Sequence, residues 1–293
     1  MVVFRFVISF ILAVDLSLSA YCRAGEIRTH TLRSTNQARE TSVRVLLPDQ
    51  LEESVSYPVV YVLPVEAGTT TRWGDPVQQV LRNDLHNKHG AVCVFPSFAD
   101  LPWYADHSTN PQLKQEAYLL EDVLPFVESS YPVITMRKGR LLVGFSKSGW
   151  GAWSLLLRHP DTFERAAAFD APLMMDRSGR YGSGPIFGNE ENFRAYHVAD
   201  LLRQRQRTFQ SEAPRLMFSG TGNFAGEHQR MKELLDDISF PHVQIPGPTR
   251  EHSWGSGWLP EAFEWLLPVS SQPVSSQPVS GKPASDEHPA SGH

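Results

Sequence analysis

The chain has 293 residues, of which 41% are apolar and 20% charged, with a formal net charge of −5 at pH 7. That composition is ordinary for a soluble globular protein, and the charge lacks the basic footprint that nucleic-acid binding leaves. Cys22 and Cys93 are the whole cysteine complement, which excludes a disulfide framework and a thiolate metal site.

The amino terminus predicts export. Arg5 precedes an apolar run over residues 6–18, broken by Ser9, Asp15 and Ser17, and small residues follow, with cleavage points after Ala20 or Ala24. The run is short for a membrane span. The mature chain is therefore expected to be secreted or periplasmic, with no membrane span.

From residue 25 to 267 strand and helix signals alternate. Strand signals fall at 27–33, 42–47, 58–64 (PVVYVLP), 91–96 (AVCVFP), 140–145 (RLLVGF), 165–170 (RAAAFD), 215–220 (RLMFSG) and 242–247 (HVQIPG). Helical stretches fit between them at 76–88, 112–130, 149–158, 192–205, 226–238 and 260–267. Continuously apolar strands alternating with amphipathic helices predict an α/β fold, a mostly parallel central sheet with helices on both faces. The pattern gives one domain, 25–267, with no second-domain boundary. Residues 177–196, rich in Gly and polar groups, read as an insertion over the sheet edge. Residues 268–293 begin with PVSSQ in tandem and stay rich in Pro and Ser, a tail with too little apolar surface to order itself.

In such sheets the working residues sit on loops beyond the carboxyl ends of the strands. The segment GFSKSGWGA (144–152) follows RLLV directly and runs into WSLLL. Strand, sharp turn, serine, helix is the setting of a nucleophile elbow, with Ser146 as nucleophile. Gly144 and Ser146 fit G-x-S-x-G, and Ser148 stands at the second small position. The backbone N–H of Lys147, at the helix start, is a candidate oxyanion donor. The Lys147 side chain faces either solvent or an anionic or polar substrate. A second donor is expected from the loop after PVVYVLP, where Pro64-Val65-Glu66 offers the N–H of Val65 or Glu66. The segment TREHSWGSGW (249–258) follows the last strand, so His252 stands where the base belongs. WYADH (103–107) follows another strand: Trp103, Tyr104 and Asp106 suit stacking on and hydrogen-bonding a sugar or phenolic ring, and a packed aromatic loop is the other reading. Trp150, with Trp153, Trp254 and Trp258, lines a pocket or fills the core.

Together these residues resemble the putative-esterase family of α/β-hydrolases, to which esterase D, feruloyl esterases, enterochelin esterases and mycolyltransferases belong. The resemblance spans residues 43–267 and is carried by GFSKSGWGAWSLLLRHPDTF, LLEDVLPFVESSYPV and HSWGSGW. It implies a serine–histidine–acid triad, an ester substrate, and no metal or organic cofactor. The family places its acid as aspartate in a Gly-x-x-Asp turn after the strand RLMFSG, where this chain has Asn223. An asparagine orients an imidazole without stabilising imidazolium by charge. Glu227, four residues on, therefore ranks first as the acid, Asp170 after RAAAF second, and Asn223 third. The expected activity is that of a serine carboxylesterase acting outside the cytoplasm on a small-molecule or glycan ester, such as that of a carbohydrate or phenolic acid. The alternatives are acyl transfer on the same residues, or a non-catalytic carbohydrate-binding module with a decayed triad.

Overall fold

In the computed structural model the described residues are Gly25, 27–52, 54–268 and Val274–Ser275. The predicted signal segment and all but three residues of the predicted tail, Pro268, Val274 and Ser275, lie outside the described residues.

The chain opens with β1 (Ile27–Leu32), β2 (Thr41–Leu46), the two-residue β3 (Val55–Ser56) and β4 (Val59–Leu63), followed by α1 (Pro76–Arg82) and α2 (Leu85–Lys88). After β5 (Val92–Pro96), α3 (Gln115–Ala117) passes through a π-helical turn, Tyr118–Val123, into α4 (Leu124–Ser130). Then come β6 (Arg140–Phe145), α5 (Lys147–Arg158), β7 (Arg165–Phe169), α6 (Gly184–Phe187), α7 (Glu190–Tyr196) and α8 (Val198–Phe209). The chain continues with β8 (Leu216–Ser219), α9 (Ala225–Asp237), β9 (His242–Ile245) and α10 (Leu259–Leu266). Val274–Ser275, β10, pairs antiparallel with β3. The main sheet has eight strands in the order β1-β2-β5-β4-β6-β7-β8-β9. The β1–β2 and β2–β5 pairs are antiparallel, and every pair from β5 to β9 is parallel. This is the α/β-hydrolase fold the sequence predicts.

The apolar runs explain the layering. Along β4, Val59, Tyr61 and Leu63 enter one buried cluster, and Val60 and Val62 enter the other. Alternate side chains of a strand point to opposite faces, so a strand buried along its whole length needs cover on both. On one face α5, buried from Ser148 to Leu157, lies with side chains of α4, α8 and α9 in the same cluster. On the other, α1 and α10 place Val77, Val80, Leu259, Ala262 and Phe263 against the sheet. The segment 177–196 does not lie over a sheet edge as expected. Its Phe187 ring packs edge-on against Trp150 of α5 at 6.0 Å, and Asn192 Nδ2 donates to the Asp106 carbonyl at 2.7 Å. Four apolar side chains, Ile186, Phe187, Phe193 and Tyr196, draw it into the core. Among the described residues no helix is long and apolar enough to cross a membrane.

Candidate active site

The loops beyond the carboxyl ends of β6, β7 and β9 converge. Ser146 follows β6 directly, with φ 54° and ψ −130°, a backbone outside the normal L-residue regions. Its N–H donates to the Phe169 carbonyl at 2.9 Å, which pins the turn to the end of β7. The turn is tight enough that a Cβ on Gly144 would lie 2.1 Å from the Ser148 carbonyl oxygen, so only glycine fits. Ser148 is fully buried. Its hydroxyl accepts from the Phe145 N–H at 2.9 Å and donates to the Phe145 carbonyl at 2.8 Å. It therefore braces the elbow from within and is not available as a nucleophile.

His252 Nε2 lies 3.1 Å from Ser146 Oγ, and its Nδ1 lies 2.7 Å from Asp170 Oδ2. A carboxylate only accepts, so Nδ1 carries the proton and Nε2 accepts from the serine hydroxyl. Three rings enclose the imidazole: Phe145 at 4.4 Å, Trp73 at 5.3 Å and Phe224 at 5.6 Å between centroids. Asp170 is fully buried. Burial alone would raise its pKa. The bond from His252 and the N–H groups of Phe224, at 2.8 Å, and Asn223, at 3.0 Å, outweigh that and hold its carboxyl below the usual range.

The carboxylate on the histidine thus differs from the one ranked first. Glu227 faces away: its Oε2 accepts from the Met174 N–H at 3.0 Å and its Oε1 from the Tyr181 hydroxyl at 2.9 Å. It holds the loop after β7. Asn223 serves through its backbone N–H rather than its side chain. Close approach of that turn to Asp170 needs Gly222, whose Cβ would lie 2.6 Å from Asp170 Oδ2.

The aromatic platform also needs correction. Trp103, Tyr104 and Trp150 are fully buried, so they are core rather than a substrate surface. One glutamine, Gln115, accepts through Oε1 from the N–H groups of Trp103 and Tyr104. The Tyr104 hydroxyl donates to the Pro64 carbonyl, which ties down the loop bearing Val65 and Glu66. Asp106 accepts from the Ala117 N–H at 3.1 Å and so organises α3. Trp254 and Trp258 are buried beneath the site as well, with Trp258 stacked on Phe169 at 4.7 Å. The Lys147 N–H is one of those a helix start leaves without an intrahelical acceptor. Residues that the sequence reading passed over are Trp73, Phe224 and His228. Trp73 and Phe224 were findable as aromatic residues on loops beyond β4 and β8. Among the described residues no cluster of metal-ligating side chains occurs.

The family model described as Putative esterase matches residues 34–235. Esterase Rv1288 of Mycobacterium tuberculosis is 26% identical over 139 residues, which cover 46% of this chain and 30% of that one. The chain thus aligns with less than a third of the curated relative's length. Among solved structures, a ferulic acid esterase superposes with a TM-score of 0.66 at 20% identity, covering 84% of this chain and 98% of its own. The fluorophosphonate-binding serine hydrolase F of Staphylococcus aureus gives 0.67 at 17% identity, covering 83% and 99%.

Proposed function

The chain belongs to the putative-esterase family, and from that premise we propose that it is a serine ester hydrolase with Ser146, His252 and Asp170 as its triad. The observation that supports this reading is the relay from Asp170 Oδ2 through His252 to Ser146 Oγ, with steps of 2.7 Å and 3.1 Å. His252 Nε2 takes the serine proton as Oγ attacks the ester carbonyl. Asp170, ionised and buried, holds the Nδ1–H tautomer and stabilises the imidazolium that forms. The N–H groups of Lys147 and Glu66 receive the oxyanion. His252 then passes the proton to the leaving alcohol, and water repeats the sequence on the acyl-enzyme.

The binding-module alternative rests on the absent aspartate at position 223, on Ser148 and on the Glu66 loop; against it, Asp170 faces His252 and the Ser148 hydroxyl braces the turn. Export belongs to the same proposal: a small-molecule ester outside the cytoplasm, with cleavage after Ala20 or Ala24. The mature amino terminus tests that part, and a secreted chain beginning at Met1 counts against it. For the chemistry, a fluorophosphonate probe should form an adduct on Ser146 that disappears in Ser146→Ala. An unlabelled wild type, or an adduct on Ser148, sinks the assignment.

A further inference from the structure

Two cations flank the Ser146–His252 pair. Lys147 adjoins the nucleophile, and its Nζ lies 5.9 Å from the Trp103 ring centroid, over the ring face. Arg72 lies over the Trp73 ring, 5.0 Å from its centroid, and Trp73 is itself edge-on to His252 at 5.3 Å. Among the described residues neither cation has a carboxylate within 4.0 Å. The carboxylate that acts on Lys147 is Glu66, whose Oε2 is held 3.5 Å from the Trp73 N–H. Glu66 attracts Lys147, and Arg72 is near enough to oppose that attraction. Lys147 is half-buried. Burial pulls its pKa down, Glu66 pulls it back up, and Arg72 lowers it again. An ammonium that has given up water without gaining a contact ion is costly to keep, and the face of a ring is a weak substitute. Lys147 is next in sequence to Ser146, and Arg72 reaches His252 through the ring of Trp73.

We propose that Lys147 and Arg72 form an anion subsite beside the nucleophile, and that the preferred substrate is an ester bearing a carboxylate or phosphate near the scissile bond. This rests on the serine-hydrolase reading. Two matched pairs of esters test it on the full chain. Mono-4-nitrophenyl glutarate against 4-nitrophenyl pentanoate puts the charge on the acyl side. The acetate ester of 4-hydroxybenzoate against that of 4-hydroxybenzamide puts it on the alcohol side. In at least one pair kcat/KM should favour the charged member by about tenfold. That ratio should fall towards one in Lys147→Met and in Arg72→Met, rise in Glu66→Gln, and shrink in high salt. Hydrolysis of the neutral esters that depends on Ser146, with no charge preference in either pair, overturns the subsite and leaves the hydrolase standing. A preference that survives both cation substitutions also overturns it. If no ester is cleaved and no probe labels Ser146, both proposals fall together.

His228 carries a second inference on independent grounds. It is buried at 3% exposure on α9. Its Nε2 accepts from the Ala171 N–H at 2.9 Å and its Nδ1 donates to the Gly220 carbonyl at 3.1 Å. An N–H only donates and a carbonyl only accepts, so this imidazole is neutral with a single tautomer. It clamps the loop that follows Asp170 to the loop whose N–H groups Asp170 accepts. The Asp170 backbone itself stands at φ 39°, a conformation that surrounding structure must hold. We infer that His228 is the positioning residue for the acid. His228→Leu should lower kcat by about tenfold or more with KM little changed. In a double-mutant cycle with Asp170→Asn the two losses should be far from additive. Should His228→Leu fail to fold, His228→Gln, which keeps an acceptor near the Nε2 position, enters the same cycle and should show a smaller loss with the same coupling. Additive losses, or KM rising in place of a fall in kcat, would mean a structural role alone.

Discussion

Asp170, just after β7, and Glu227, on α9, are both buried carboxylates, and their hydrogen bonds assign them different work. Asp170→Asn removes the charge facing His252 and should lower kcat on a 4-nitrophenyl ester by about 10⁴. Glu227→Gln keeps most of its packing, and Asn223→Ala keeps the N–H that matters. Both should stay within about tenfold of the parent, and circular dichroism should show all three folded. If Glu227→Gln proves the worst of the three, the acid has been misassigned. Sequence spacing could not rank them correctly, because rank depends on which way an oxygen points. Asp170 reaches the histidine from a backbone at φ 39°, a conformation that no propensity announces. Ser146 stores strain of the same kind at φ 54°, which costs of order 1–3 kcal/mol. Ser146→Gly should therefore be more stable than Ser146→Ala by about 1 kcal/mol, read as a higher midpoint in urea, although both are inactive.

At the scale of the element, the nucleophile elbow shows why a departure from G-x-S-x-G is compatible with the turn. The Ser148 hydroxyl bonds both the N–H and the carbonyl of Phe145. Ser148→Ala leaves a buried N–H without its acceptor, which should cost about 1–3 kcal/mol of stability. Fluorophosphonate labelling of Ser146 should persist. Loss of labelling with stability intact would point instead to Ser148 as the reactive group. The strand–serine–helix context was legible because parallel strands and their following helix are written in runs of apolar residues. The same legibility covers all eight strands of the main sheet. The role of the 103–107 aromatics was not legible: an aromatic loop at the active end of a sheet reads alike whether its rings face substrate or core. Complete burial of Trp103 and Tyr104 settles that in favour of the core.

For the whole molecule, one charge cluster around the buried Glu116 of α3 ties the end of α5 to Tyr196 of α7. Glu116 accepts from Arg158 Nε at 2.7 Å and Nη2 at 3.0 Å, from His159 Nε2 at 2.6 Å and from the Tyr196 hydroxyl at 2.9 Å. Burial would raise its pKa, but the bonds from His159 and Arg158 bring it from an ordinary 4.5 to about 2. A carboxylate whose folded pKa is depressed contributes stability above its unfolded value and loses it as pH falls towards the folded one. The cluster should therefore weaken between about pH 4.5 and 2. Glu116→Gln leaves Arg158 partly unpaired and should cost about 3–5 kcal/mol at pH 7, lowering Tm by roughly 10 °C. The gap between variant and parent should narrow on acidification, and a gap constant with pH would disprove the linkage. The place from which a carboxylate reaches His252 has a wider consequence. The turn after β8 lends Asp170 only backbone N–H groups, which every residue but proline possesses. On the proposed triad the side chain at position 223 has no chemical task. On the triad proposed above, a test that looks for an acid at position 223 alone would score this chain as lacking one, although a buried carboxylate faces His252 from the end of the neighbouring strand.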